Sequence, residues 1–215
     1  MLSLLSTQSV KQLLCIGAHP DDIEIGAGCT IRQLIKQQPE LHIHWVVLTG
    51  KGSAREQEAI NGAERFTQGA TKVTLEIMDF RDAYLPWQGE AVKAYFDELK
   101  QRVNPDLILT HCANDKHQDH QFINQLCWNS WRNNNIWEYE IVKWDGDLGQ
   151  PQLLVPVSEE DASQKADDIY QTFVTQQSKS WFKPQTLLAL MRIRGVECHS
   201  DCAEAFYVRK MVFNP

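Results

Sequence analysis

Apolar residues recur along this chain in short unbroken runs, separated by longer amphipathic stretches. Residues 12–17 (QLLCIG) form such a run and end at a glycine, which predicts a buried strand. Residues 26–38 carry Ile31, Leu34 and Ile35 at helical spacing and predict a helix. Residues 42–48 (HIHWVVL) are β-rich, precede Thr-Gly, and predict a second strand. Residues 53–67 predict a helix opened by a capping box, with Ser53 as N-cap and Glu56 three residues on. A third strand follows at 73–78, then a helix at 89–103 ended by Asn104-Pro105. A fourth strand, 107–110 (LILT), is apolar on both faces.

Strands alternating with helices predict an α/β fold with a parallel sheet covered by helices on both sides. Continuous rather than alternating apolar strands point the same way. Beyond residue 135 the pattern is less regular. Segments 136–142, 153–157 and 205–213 read as strands. Residues 158–175 read as a helix opened by Ser158 and an acidic first turn. The expected organisation is one domain over 1–215: a core over 1–135, and an extension over 136–215 that lengthens the sheet and walls the active site.

Composition narrows the function classes. A chain of 215 residues fits one domain, and 43% hydrophobic with 23% charged residues is ordinary for a soluble globular protein. A formal net charge of -7 excludes wholesale binding to nucleic acid or anionic lipid, leaving room for a local basic pocket. The first ten residues lack a basic n-region, and no run approaches the roughly 18 apolar residues of a membrane helix. The expected location is therefore cytoplasmic, with no integral membrane segment. The six cysteines are scattered and read as reduced, buried thiols. Cys198 and Cys202, around His199, form the one candidate second metal site, weakened by the lack of a matching cysteine pair.

The chemistry sits in two polar clusters at predicted strand ends, where α/β sheets bind ligands. Ala18-His19-Pro20-Asp21-Asp22 follows the first strand; His111, Asp115, His117, Asp119 and His120 follow the fourth. Adjacent carboxylates beside a buried strand end repel each other, and desolvation sharpens the repulsion. A divalent cation is the simplest compensation, and mixed imidazole and carboxylate donors suit Zn2+ or Fe2+. Two histidines and one aspartate leave an open position, as catalytic zinc sites do. Either cluster alone reads as a helix cap or a surface hydrogen bond. Together, both at carboxyl ends of strands, they favour a metal.

At these residues the chain resembles the PIG-L/LmbE-like N-acetylglucosaminyl deacetylase family. The marks are Ala18-His19-Pro20-Asp21-Asp22 and Pro105-Asp106-Leu107-Ile108-Leu109-Thr110 leading into Asp115-x-His117-x-Asp119-His120. Arg55-x-x-Glu58 and Ala203-Glu204-Ala205-Phe206 also match. The resemblance implies a Rossmann-like three-layer α/β/α fold and removal of an N-acyl group from an amino sugar. It implies His19, Asp22 and His120 as metal ligands, for Zn2+ or alternatively Fe2+. It implies Asp21 as general base and His117 as the second catalytic residue, which steadies the oxyanion; the proton for the leaving amine comes from either His117 or Asp21. Asp119 is expected to orient one of the histidines. Arg55 and Asp82 fall where family members contact substrate, although Arg55 could equally pair with Glu58 on its helix face. Some members carry a Tyr where this chain has Asp115, so Asp115 either leaves carbonyl polarisation to another residue or serves the metal-site scaffold.

His111, directly after the fourth strand, reads first as a buried, satisfied histidine and second as a support beside the metal ligands; His42 and His44 read as packing or surface residues. Trp137, Trp144 and Trp181 read first as core and second as stacking faces for sugars. Segment 139–148 lies near the expected pocket mouth. The expected partner is a small N-acetylated sugar or sugar conjugate, and a homo-oligomer is compatible with the sequence. Two rivals stand beside this reading: a metal-dependent amidase on a non-sugar amide, and a non-catalytic nucleotide-binding α/β module. The second lacks the glycines that let a phosphate approach the backbone after the first strand.

Overall fold

A computed structural model describes residues 10–211. Its centre is a seven-stranded sheet: β1 (Gln12–Gly17), β2 (His42–Thr49), β3 (Lys72–Phe80), β4 (Leu107–His111), β5 (Asn135–Tyr139), β6 (Leu153–Val157) and β7 (Cys202–Tyr207). The order is β3-β2-β1-β4-β5-β7-β6. The first five strands pair in parallel, and β7 runs antiparallel to both its neighbours. This is the expected α/β architecture with a mostly parallel sheet, and the strands after residue 135 extend it.

The strands alternate between two cores. Leu13 and Cys15 pack on one face with α1 (Asp22–Gln37), α2 (Glu56–Phe66) and α5 (Glu159–Thr172), through Ile31, Phe66 and Ile169. Leu14 and Ile16 pack on the other face with α3 (Gly89–Arg102) and α4 (Gln118–Ser130), through Phe96, Leu99 and Ile123. Each of these buried side chains contributes about 1.5–3 kcal/mol relative to exposure. Having two apolar faces is why the strands read as continuous apolar runs.

The differences from the sequence pattern have local causes. Helix α1 starts at Asp22 rather than 26, because its first turn, Asp22-Ile23-Glu24-Ile25, alternates polar and apolar residues and so lacks helical spacing. Helix α2 starts at Glu56. Ser53 instead closes a turn, with its Oγ donating to Gly50 O (2.6 Å) and accepting from Arg55 N–H (3.1 Å). The expected box partner Glu56 accepts from Gly52 N–H (2.7 Å). Ser158 does cap α5, accepting from Asp161 N–H (3.1 Å), but that helix ends at Thr172. Strand β5 ends at Tyr139 and β7 at Tyr207; residues 212–213 of the expected last strand lie outside the described residues. Helices α4 and α6 (Pro184–Cys198) were not expected.

One packing arrangement sets up the site. Cys29 N–H and Thr30 N–H, in the middle of α1, donate to the carboxylate of Glu204 on β7 (2.8 and 2.7 Å). Lys165 Nζ of α5 donates to Ile25 O and to Glu204 Oε1, both at 2.6 Å. A side-chain ion pair thus takes up groups that a regular i→i−4 ladder would pair with one another. The first turn of α1, which bears Asp22, is therefore gripped by β7 and α5. Gly26 allows the same turn to lie on β5, since a Cβ there would fall 2.3 Å from Tyr139 Cδ2.

Candidate metal and catalytic centre

The loop between β1 and α1 is tightly held. Ala18 N–H donates to His111 Nε2 (3.0 Å), and Thr49 Oγ1 donates to Ala18 O (2.9 Å). Asp21 then turns into α1 with φ 101°, a conformation that strains any residue but glycine. Arg55 reaches across from the start of α2 to Asp21 Oδ1 (3.0 Å) and also donates to Pro20 O. Arg55 does not pair with Glu58, whose carboxylate accepts from the backbone and hydroxyl of Thr175.

Three buried donor atoms converge on one point. His19 Nδ1 lies 3.2 Å from His120 Nε2 and 3.3 Å from Asp22 Oδ2, and the last two are 3.5 Å apart. Ligands at tetrahedral zinc, with bonds of about 2.0–2.1 Å, sit about 3.4 Å from each other. The far nitrogens are occupied by carboxylates. His120 Nδ1 contacts Asp115 Oδ2 (2.8 Å); His19 Nε2 contacts Asp119 Oδ2 (3.2 Å) and Asp82 Oδ1 (3.0 Å). Both histidines are thus oriented with one nitrogen anchored and the other turned inward, as metal-ligating histidines are. Asp119 is anchored in turn by Leu85 N–H (3.0 Å).

Electrostatics follows this geometry. Burial alone would depress the His19 and His120 imidazoles, but the surrounding carboxylates, Asp22 first, raise both above the ordinary value. Burial would raise Asp22, yet His120, His111 and His19 hold it well below the carboxylate range. Asp21 goes the other way: burial pushes it up to about 6 against the pull of Arg55. His117 is lowered, by burial first and then by His120 and His19. It N-caps α4, its Nδ1 accepting from Asp119 N–H (3.2 Å), with its ring 4.8 Å from that of His19.

The structure draws His111 closer into the site than the sequence reading did, and it adds Lys143. His111 stacks on His120 with ring centroids 3.8 Å apart, and its Nε2 is 3.3 Å from Asp22 Oδ2. It is held near pKa 4 by burial and by His120, and its Nδ1 has no partner. Lys143, partly buried with its side chain 6% exposed, sits on the segment after β5 and ion-pairs with Asp115 (3.0 Å) and Asp147 (2.6 Å). No spacing motif marks Lys143 in the sequence. Asp115 lies between Lys143 and His120, which makes it part of the scaffold around the site.

Other candidates fall elsewhere. Among the described residues, the groups with metal-ligating spacing all lie in this site, and neither Cys198 nor Cys202 belongs to one. Cys198 Sγ instead lies 3.2 Å from Ser200 Oγ. His42 and His44 stack with each other on β2, and His42 meets Thr74 Oγ1 (3.0 Å). Trp137 packs in the core against Phe206. No helix among the described residues is long and apolar enough to cross a membrane.

Residues 14–131 match the family model for PIG-L, the GlcNAc-PI de-N-acetylases. The chain belongs to the PIG-L family. An uncharacterized deacetylase from Escherichia coli (strain K12), YaiS, is 32% identical over 132 residues, which span 57% of this chain and 69% of that protein. The N,N'-diacetylchitobiose deacetylase from Pyrococcus horikoshii superposes with a TM-score of 0.67 at 20% identity, covering 94% of this chain and 85% of its own. GalB, a 4-carboxy-2-hydroxymuconate hydratase from Pseudomonas putida KT2440, superposes with a TM-score of 0.75 at 16% identity, covering 95% of this chain and 98% of its own. At these identities the two superpositions establish the shared PIG-L-type α/β fold, which carries more than one chemistry.

Proposed function

We propose that this PIG-L family member is a metal-dependent hydrolase that removes the acetyl group from an N-acetylated amino sugar or its conjugate. The observation that carries the reading is the convergence of His19 Nδ1, Asp22 Oδ2 and His120 Nε2 at 3.2–3.5 Å, with each histidine anchored by a carboxylate on its other nitrogen. Those three residues would hold Zn2+, with Fe2+ as the alternative. When bound, the metal would polarise the acyl carbonyl and make a water more acidic. We read residues 1–215 as one deacetylase domain, with 136–215 walling the site.

The protein's own residues supply the proton transfers. Asp21, kept basic by burial and aimed by Arg55, takes the proton from the water that attacks the acyl carbon. His117, with Nδ1 occupied by Asp119 N–H, is left to donate from Nε2 to the oxygen where negative charge develops. Because His117 is held neutral, Asp21 returns its proton to the amide nitrogen as the C–N bond breaks. Acetate and a free amine result.

The test pairs elemental analysis with acetate release from a panel of N-acetylated sugars and simple amides. About one zinc or iron per chain, lost in His120→Ala, with acetate from a sugar, supports the proposal. Turnover confined to non-sugar amides would replace the substrate class. Absence of metal after reconstitution would overturn the mechanism.

A further inference from the structure

Two aromatic pairs flank the metal site, and both hold exposed rings in set orientations. The first is on the loop after β3. Three contacts fasten this loop to the site: Asp82 Oδ1 to His19 Nε2 (3.0 Å), Gln118 Nε2 to Ala83 O (3.0 Å) and Leu85 N–H to Asp119 Oδ1 (3.0 Å). The loop presents Trp87, 70% exposed, packed against Tyr84 at 5.7 Å between centroids. The guanidinium of Arg81 sits 3.6 Å over the Tyr84 ring. The second pair follows β5. Lys143 fastens that segment to Asp115, and the next residue, Trp144, is 67% exposed. Trp181 meets Trp144 edge-on at 6.1 Å, and Lys179 lies 5.7 Å from the Trp181 ring.

The sheet order puts these pairs on opposite sides. The metal site lies at the carboxyl ends of β1 and β4. β3 is two strands away on one side, and β5 is the next strand on the other. All run parallel, so both loops leave the same edge of the sheet and bracket the site. Exposed tryptophans with rings held by neighbours cost little further ordering on binding, which suits recognition of a flat apolar face. The charges around them are mixed: Arg81 over Tyr84 and Lys179 near Trp181, against Asp82, which meets His19, and Asp145, which lies 3.7 Å from Lys143. That balance fits a neutral ligand better than a phosphorylated one.

We propose that Trp87 and Trp144 are stacking platforms for parts of the substrate beyond the reacting sugar, so that the substrate is an uncharged oligosaccharide or glycoside rather than a free monosaccharide. This rests on the reading of the site as a sugar deacetylase and adds its specificity. The platforms act on a neighbouring pyranose or aglycone ring, while the acetylated sugar lies over the metal centre between them.

The test uses full-length, zinc-loaded Asp21→Asn protein, to suppress turnover, and calorimetric titration. The ligands are N-acetylglucosamine, its β-1,4-linked dimer and trimer, and its α- and β-p-nitrophenyl glycosides. At least one extended ligand should bind tenfold or more tightly than the monosaccharide. Trp144→Ala or Trp87→Ala should cut that advantage to threefold or less, with Trp→Phe restoring part of it. An extended ligand with no advantage, or an advantage that survives both alanine variants, overturns the inference. Acetate release by the unmutated enzyme separates the two claims. An extended-ligand advantage without acetate from any sugar sinks the deacetylase reading alone; acetate without the advantage sinks the platforms alone.

Discussion

His19 and His120 stand 101 residues apart in sequence and turn nitrogens toward each other at 3.2 Å, with the Asp22 carboxylate against both. Parallel pairing of β1 with β4 makes this meeting, since the loop that carries His19 and the segment that leads into His120 on α4 leave neighbouring strands at the same edge. Two imidazoles facing across such a gap need a proton or a cation between them. In metal-free protein, burial works against a proton here, but the surrounding carboxylates, Asp22 first, outweigh it and raise both imidazoles above their ordinary value.

A metal held as proposed would compete with protons for this pair. Zinc affinity should fall as the pH drops through neutrality, because His19 and His120 take up protons above the usual 6.5. In metal-free protein these two groups act with the opposite sign. Their folded pKa is above the unfolded one, so the stability they add is full below about 6.5 and is lost as pH rises through the folded value. Zinc at a hundredfold excess over its Kd should stabilise the fold by about 2.7 kcal/mol. A thermal melt with and without zinc checks this, and His120→Ala should abolish the shift. A shift of full size in His120→Ala would contradict the ligand assignment.

The Arg55–Asp21 pair sets a second pH effect. Arg55 pulls Asp21 down against burial, so Arg55→Met should raise the Asp21 pKa. The acidic limb of the kcat/KM profile would then move to higher pH by about 1 unit or more. Arg55→Lys should move it less. An acidic limb left in place by Arg55→Met would show that Asp21 is not the group titrating there.

Much of this was legible in the sequence, for physical reasons that also mark its limits. Strands buried on both faces announce themselves as QLLCIG and LILT, and the polar residues just past their ends point to a ligand site. Helix α6 escaped because its apolar residues are spread around the axis: Leu187 and Met191 are buried while Ile193 and Val196 are exposed. Helix α4 is rich in Gln and Asn and opens with His117 and Asp119, which read as site residues before they read as helix. Lys143 escaped because its role depends on where the segment after β5 folds back, and Coulombic partners 28 residues away leave no spacing signature.

Lys143 gives a prediction of its own. It is the cation against Asp115, which in turn orients His120. Lys143→Met should leave Asp115 buried with a lost partner and loosen the His120 ring. Changes one step out from a metal ligand typically weaken affinity about 10–100-fold. Chelator competition for zinc measures it directly. Unchanged zinc affinity in a folded Lys143→Met protein would reduce the pair to a loop anchor.

The Lys165–Glu204 pair reaches the site through α1. Both side chains are buried, and between them they bind Ile25 O, Cys29 N–H and Thr30 N–H. Removing one partner of a buried pair typically costs about 3–5 kcal/mol, because the other charge is left uncompensated. Glu204→Ala should be the worse single change, since it also orphans two helix amides, whereas Lys165→Met orphans one carbonyl. The double variant should cost less than the sum of the two, by about 0.5–3 kcal/mol of coupling. Urea unfolding of the four proteins completes the cycle, and strict additivity would show that the two side chains act separately on α1. Because the first turn of α1 carries Asp22, the variants that remain folded should also bind zinc more weakly than the unmutated protein. Undiminished zinc affinity in Lys165→Met would mean that the turn holds its place without the pair.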